Sequence, residues 1–194
     1  MSILEGPLRK AHRLLAPRVA YLIGTRSPSG EPDVIPVSNA TSVSTDPQQV
    51  LIAVMKRWTT HTNLQHGGGF TLSVPTSDQA EGVWRLGARY SGFVTPDNAT
   101  KLVASGLKFD HAASEHGPVL VTGLGWLSCR IVARLDLGGD HALAVGQVET
   151  AAFDKQAFDS DASPQRDLNP LMQVTGNRFT TAGTSYTLPY HAPR

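Results

Sequence analysis

A single cysteine, Cys129, stands in the 194 residues, so no intrachain disulfide can form and no second thiol can complete a structural zinc site. Apolar stretches stop well short of the ~20 residues that crossing a bilayer requires. Near the start, Arg9, Lys10, His12 and Arg13 interrupt the continuous apolar core that a secretory signal would need. A soluble, cytoplasmic protein is expected, with no membrane partner. Charge is scarce: charged residues make up 17% of the chain and the formal net charge is +1. No run of Lys and Arg could neutralise several phosphates in a row, which argues against nucleic acid. The 7 histidines include no His-Glu-x-x-His spacing, and no nucleophile triad or carboxylate pair is recognisable. No metal is expected, and redox chemistry would need a borrowed cofactor.

Apolar residues, at 40% of the chain, suffice for one core at a length typical of one domain. The chain also lacks a repeat of fixed period. Leu8–Leu15 reads as a short basic helix broken by Pro17, an arm or lid. Residues 18–25 and 33–38 read as a hairpin around the turn Ser27-Pro28-Ser29-Gly30. Pro36 donates no ladder hydrogen bond, so the second strand is an edge or is bulged. Residues 50–55 are continuously apolar and predict a strand buried on both faces, and residues 70–74 a fourth strand.

A short helix is expected over residues 58–66, with a threonine near its start as N-cap and Gly67-Gly68-Gly69 as its stop. Residues 77–86 predict a further helix, and residues 97–105 another, capped by Asp97 and ended by Gly106. From 119 to 135 apolar or small residues hold the odd positions, which predicts one long strand or two joined by a glycine bend. Gly138-Gly139-Asp140 turns the chain into a partner strand over 141–150. Residues 154–169 read as a loop, and 171–174 as a short strand in an otherwise irregular tail. The fold class is therefore mainly β with short helices: a small β-barrel with helical inserts.

Two hydroxyl-rich segments carry the candidate chemistry. Ser38, Asn39, Ala40, Thr41 and Ser42, continuing to Ser44, follow a strand and offer donors to a phosphate or to the polar edge of a heterocycle. Alone, the segment also reads as a polar loop before Asp46-Pro47. Thr59, Thr60, His61, Thr62 and Asn63 stand at a helix N-terminus, where unpaired N–H groups and the helix dipole favour an anion. Lys56 and Arg57 lie just before it. Alone, that segment also reads as a cap. Separated by one buried strand, the two segments can converge on a single phosphate.

These residues, in order with Gly30, Asp46-Pro47, Gly69-Phe70, Ser91-Gly92, Lys101, Gly106-Leu107, Leu127-Ser128-Cys129, Gly139-Asp140-His141 and Val145-Gly146-Gln147-Val148, resemble the flavin reductase-like family, whose fold is the FMN-binding split β-barrel. The resemblance covers about residues 16–153 of a single domain spanning 1–194, with an end piece at Gly176-Asn177-Arg178-Phe179 inside a C-terminal extension over 154–194. It implies that Ser38, Asn39 and Ala40 meet the isoalloxazine ring. It places Thr41 and Ser42 nearest the ribityl phosphate and makes residues 59–63 complete the phosphate site, with Lys56 and Phe179 in the cofactor-binding set. It puts His141 near the flavin face where hydride arrives; a solvated hairpin residue is the other reading. Arg89 would meet a phosphate or nicotinamide, or be a surface arginine.

What the resemblance implies about activity is an NAD(P)H-dependent flavin oxidoreductase. FMN, or FAD, would be the flavin and NADH or NADPH the hydride donor, with electrons passing to an acceptor or partner oxygenase. A flavin-holding electron carrier without a nicotinamide site is the alternative, and an amine-oxidising or haem-binding relative a weaker one. Such barrels pair, so a homodimer is expected.

Overall fold

The computed structural model describes residues 5–87, 92, 95–165 and 167–184. Leu8–Leu15 forms a 3-10 helix with no buried residue. The strands that follow are Arg18–Val19 (β1), Tyr21–Arg26 (β2), Pro32–Val37 (β3), Ala40–Thr45 (β4) and Gln48–Met55 (β5). Then come helix Thr59–His66 (α1), strand Gly69–Val74 (β6), a 3-10 turn at Ser77–Gln79 and helices Ala80–Leu86 (α2) and Asn98–Ala104 (α3). Phe109–Asp110 (β7), Val119–Leu120 (β8), Gly125–Asp136 (β9), His141–Phe153 (β10), Met172–Thr175 (β11) and Arg178–Thr180 (β12) complete the described chain.

Seven strands form one antiparallel sheet in the order β3-β2-β6-β9-β10-β5-β4. Val37, on one edge strand, and Val50 and Ile52, near the other, share a core cluster with Ile23, Phe70 and Ile131. The sheet therefore curls around its own apolar face, while the two edge strands are not paired with each other. A second cluster, including Leu22, Val34, Val83, Leu86 and Leu102, lies where α2 and α3 pack on the sheet's other side. Leu22 and Ile23, adjacent in β2, feed the two clusters in turn.

Local chemistry explains most of these elements. Asp97 Oδ1 accepts from Thr100 N at 2.7 Å to cap α3, and Gly106, at φ +73°, leaves the helix in the left-handed region as expected. Pro36 does sit on an edge strand. Three expectations need correction. The hydroxyl-rich segment after Val37 is no loop. Ala40–Thr45 is the other edge strand, because Thr and Val favour extended backbone and pair with β5, with a bulge between Ser42 and Ser44. Strand β5 is buried on one face only: Val50, Ile52 and Val54 face the core, while Leu51, Ala53 and Met55 are half-exposed. The N-cap of α1 is Trp58 in extended conformation, not a threonine, and among the described residues no side chain caps it.

Arg134 of β9 secures the other end of α1, donating from Nε to Leu64 O at 2.7 Å and from Nη2 to Gly67 O at 2.6 Å. A cation there satisfies the last carbonyls and opposes the dipole. Among the described residues no helix is long and apolar enough to cross a membrane.

Cys129 is fully buried. Desolvation, then the nearby Glu149 charge, pushes its thiol from 9.0 to about 12. An aromatic disulfide reagent at mildly alkaline pH is expected to titrate this thiol only after denaturation; prompt stoichiometric reaction of the native protein would contradict its burial. The unfolded chain releases that proton near its ordinary pKa and the folded chain does not. Stability is therefore expected to fall as pH rises from about 9 towards 12.

Candidate functional site

One cleft, of about 1280 Å³, gathers most of the candidate chemistry. It exceeds the ~300–1,000 Å³ usual for a small-molecule site, so a mononucleotide fits with room beside it. One end is built by the start of α1. Arg57, Trp58, Thr59 and Thr60 line it; the His61 N–H is already bonded to Trp58 O at 3.0 Å, which leaves the N–H groups of Thr59 and Thr60 as the first-turn donors without an intrahelical acceptor. Two buried bonds hold α1 on the sheet. Thr60 Oγ1 donates to Asp33 Oδ2 at 2.7 Å and Asn63 Nδ2 donates to Thr25 Oγ1 at 3.0 Å. Asp33 also accepts from Lys101 Nζ at 2.6 Å.

Another part of the lining is polar and built across long sequence separations. Arg18 Nη1 donates to Asn39 Oδ1 at 2.7 Å, Ser38 Oγ donates to Gln173 Oε1 at 3.0 Å, and Ala53 N donates to Asn39 O at 2.8 Å. The Arg18 Nε is buried without a hydrogen-bond partner. Ile35, Pro36, Val37, Trp84 and Phe179 supply an apolar band, and the rings of Trp84 and Phe179 meet edge-on with centroids 6.0 Å apart. Arg9, His12 and Arg13 of the N-terminal 3-10 helix also line the cleft, while Leu8 and Leu14 of the same helix point outward, 91% and 89% exposed.

His141 opens β10 opposite Met55 of β5 and lines the cleft beside Asp140. Its Nδ1 lies 2.6 Å from Asp140 Oδ1. This hydrogen bond, and the positive charge on the histidine when it is protonated, hold the Asp140 carboxyl below its usual range. An ionised carboxylate only accepts, so Nδ1 carries the proton and Nε2 is the nitrogen left for a bound molecule.

The structure thus brings Ser38, Asn39, Thr59, Thr60, His141 and Phe179 to one cleft. It does not bring the remaining candidates there. Ala40 packs against the core. Thr41 and Ser42 are exposed on β4, with Ser42 Oγ accepting from Gln48 Nε2 at 3.0 Å. Lys56 pairs with Asp136 at 2.7 Å, His61 bonds Gln65, Thr62 is exposed and Asn63 is buried in its bond to Thr25. Arg89 lies outside the described residues. Cleft residues not expected from the sequence are Asp33, Arg18, Trp58, Trp84 and Gln173, while Lys101 stood among the pieces of the resemblance without a place in the site. A lone carboxylate in the apolar strand Asp33-Val34-Ile35-Pro36-Val37 was the one signal available for Asp33. Among the described residues no cluster of His, Cys, Asp and Glu could hold a metal ion.

The donor set suits a flavin nucleotide. A helix N-terminus with an adjacent arginine can accept a phosphate, an apolar and aromatic band can accept a ring system, and Ser38 and Asn39 with neighbouring backbone can hydrogen-bond a heterocycle's polar edge.

Comparison with known proteins agrees. Residues 13–182 match the model of the family described as the flavin reductase like domain. The reductase component of a 4-nitrophenol 4-monooxygenase/4-nitrocatechol 2-monooxygenase from Rhodococcus opacus is 30% identical over 129 residues, 66% of this chain and 63% of that protein. An FMN-binding protein from Thermus thermophilus superposes with a TM-score of 0.77 at 18% identity, covering 97% of this chain and 99% of that one. The NADH:FAD oxidoreductase of Streptomyces globisporus gives 0.73 at 20%, covering 96% and 99%. The curled, edge-open sheet is the fold of these neighbours, the FMN-binding split β-barrel.

Proposed function

Because the chain belongs to the flavin reductase-like family, we propose that it is an FMN-binding flavin reductase that draws hydride from NADH or NADPH and passes electrons to an acceptor or a partner oxygenase. The observation that carries this is the convergence, in one cleft, of the α1 N-terminus with Arg57, the Ser38 and Asn39 edge, and His141. Bound flavin supplies the redox chemistry, accepting a hydride and returning electrons. The chain's own residues bind, orient and handle protons. Arg57, Thr59 and the Thr59 and Thr60 N–H groups of α1 would hold the phosphate, while Ser38 and Asn39 would fix the ring's polar edge. Arg18 locks the Asn39 amide in place, as Gln173 does Ser38. His141, oriented by Asp140, presents Nε2 for a donor group or a proton at the open side.

A homodimer belongs to the same reading. Ala53, Met55 and His141 line the cleft and lie on the outer sheet face with Leu51, Leu143 and Val145, paired as Leu143 with Ala53 and Val145 with Leu51. A half-exposed apolar sheet face beside an open cleft is the surface that a second copy covers, closing the site. Sedimentation at micromolar concentration is expected to give a dimer, and a monomer throughout would remove this part.

The purified protein is expected to oxidise NADH or NADPH under anaerobic conditions only when FMN, FAD or riboflavin is supplied. A rate equal to the protein-free control with every flavin would overturn the reductase. Tight flavin uptake with no bleaching by nicotinamide would instead support the second reading, an electron carrier.

A further inference from the structure

Asp33 is 1% exposed, Thr60 0% and Lys101 8%, yet all three belong to the wall of the cleft. A buried carboxylate is costly unless it is both paired and hydrogen-bonded. Asp33 is both, and its two oxygens divide the work: Oδ1 accepts from Lys101 of α3 and Oδ2 from Thr60 in the first turn of α1. The Thr60 hydroxyl is therefore spent on Asp33 as a donor and is too buried to be a first contact for a ligand. That carboxylate anchors the turn that follows Arg57 and carries the Thr59 and Thr60 N–H groups, and Arg57, Thr59 and Thr60 all line the cleft. Left uncompensated, it would set a negative charge beside an arriving phosphate.

We propose that the Asp33 and Lys101 pair is a positioning unit for the phosphate subsite. Asp33 holds the first turn of α1 at the height where its N–H groups meet a phosphate monoester, and Lys101 cancels the charge that this anchor brings. Asp33 and Lys101 are positioning residues. They make the site selective for a flavin bearing a terminal phosphate over the same ring without one. The inference rests on the flavin reading above, and comparing FMN with riboflavin separates the two, since the ligands share a ring and differ in the phosphate alone.

The test is flavin binding, by fluorescence quenching, to wild type, K101M and the double variant D33N/K101M, with folding checked by circular dichroism. K101M leaves a buried carboxylate behind the turn. Truncating one partner of a buried charge pair strands the other charge, so FMN dissociation is expected to weaken about 10-fold or more and riboflavin by less than about 2-fold. In D33N/K101M the amide oxygen still accepts from Thr60 and no charge is stranded, so FMN affinity is expected to return to within about 3-fold of wild type. Equal weakening of both ligands in K101M would overturn the proposal, because a loss of general structure has no preference for the phosphate. So would a folded double variant that stays weak for FMN alone, since Lys101 would then be a direct phosphate ligand. Should K101M fail to fold, the double variant decides: a wild-type ratio of FMN to riboflavin affinity supports the unit, and a lowered ratio overturns it. Wild type that binds neither flavin would remove the underlying reading as well.

Discussion

Replacing Phe70 by alanine is expected to remove about 3–5 kcal/mol of folding stability, read as a lower denaturant midpoint with little change in slope. Phe70 is fully buried on β6, near the middle of the seven-stranded sheet, and packs in the core cluster with Ile23, Ile52, Cys129 and Ile131. Its ring rests on the backbone of β10, where a Cβ added at Gly146 would come within 2.7 Å of Phe70 Cε1 and of Cys129 Cβ. Gly146 is thus a glycine because the ring takes the place a side chain would fill. Without the ring, strands bound on both sides cannot slide together to close the gap, so the cavity persists. Against a total stability of roughly 5–15 kcal/mol for a domain, that loss brings the protein close to unfolding. A loss below about 1 kcal/mol would show that the barrel interior refills and that the packing inferred around Gly146 is wrong.

Replacing His141 by alanine is expected to slow nicotinamide-driven flavin reduction about 100-fold, the lower range for a positioned acid–base group, while flavin affinity shifts by less than about 3-fold. The asymmetry follows from geometry. His141 is half-exposed at the mouth of the cleft, and its partner Asp140 is largely in water, so truncation strands no buried charge. In the proposed flavin site the phosphate and ring-edge contacts come from other residues, on α1, the turn before it and the segment joining β3 to β4. Stopped-flow reduction of preloaded protein, set beside a flavin titration, checks the split. Unchanged reduction with unchanged binding would reassign His141 to the hairpin surface and favour the electron carrier.

The fold was legible where local chemistry decides it. Asp97 with Gly106, the Ser27 to Gly30 turn, and Gly138 with Gly139 each announce an element boundary, and the alternation from 119 to 135 marks β8 and β9 with the bend between them. Strand β4 was not legible. An edge strand exposed along most of its length shows no alternation, and its hydroxyls read equally well as a loop. Strand β5 misled in the opposite sense: Leu51, Ala53 and Met55 are apolar because of the open face beside the cleft, whereas continuous apolarity alone reads as burial on both faces.

The site divides in the same way. Ser38, Asn39, Thr59, Thr60 and His141 could be read from segment chemistry and resemblance, yet which cation of the Lys56-Arg57 pair faces the cleft depends on Asp136, which draws Lys56 away. Arg18 to Asn39 and Ser38 to Gln173 are contacts 21 and 135 residues apart in sequence. No local pattern encodes them. The pairing of Lys101 was invisible for the same reason, since its partner is Asp33, 68 residues earlier.

The two borders of the large sheet also differ in what they permit between molecules. On β3, Pro32 and Pro36 lack the N–H that a docking strand would need, and helices α2 and α3 pack against that strand. On β4, Thr41, Ser42, Val43 and Thr45 are exposed and no proline interrupts the strand, so a foreign strand meets only the kink between Ser42 and Ser44. Aggregation by strand addition is therefore polar: a growing stack can extend from one border of the molecule and is blocked at the other, which favours capped, short assemblies over fibres.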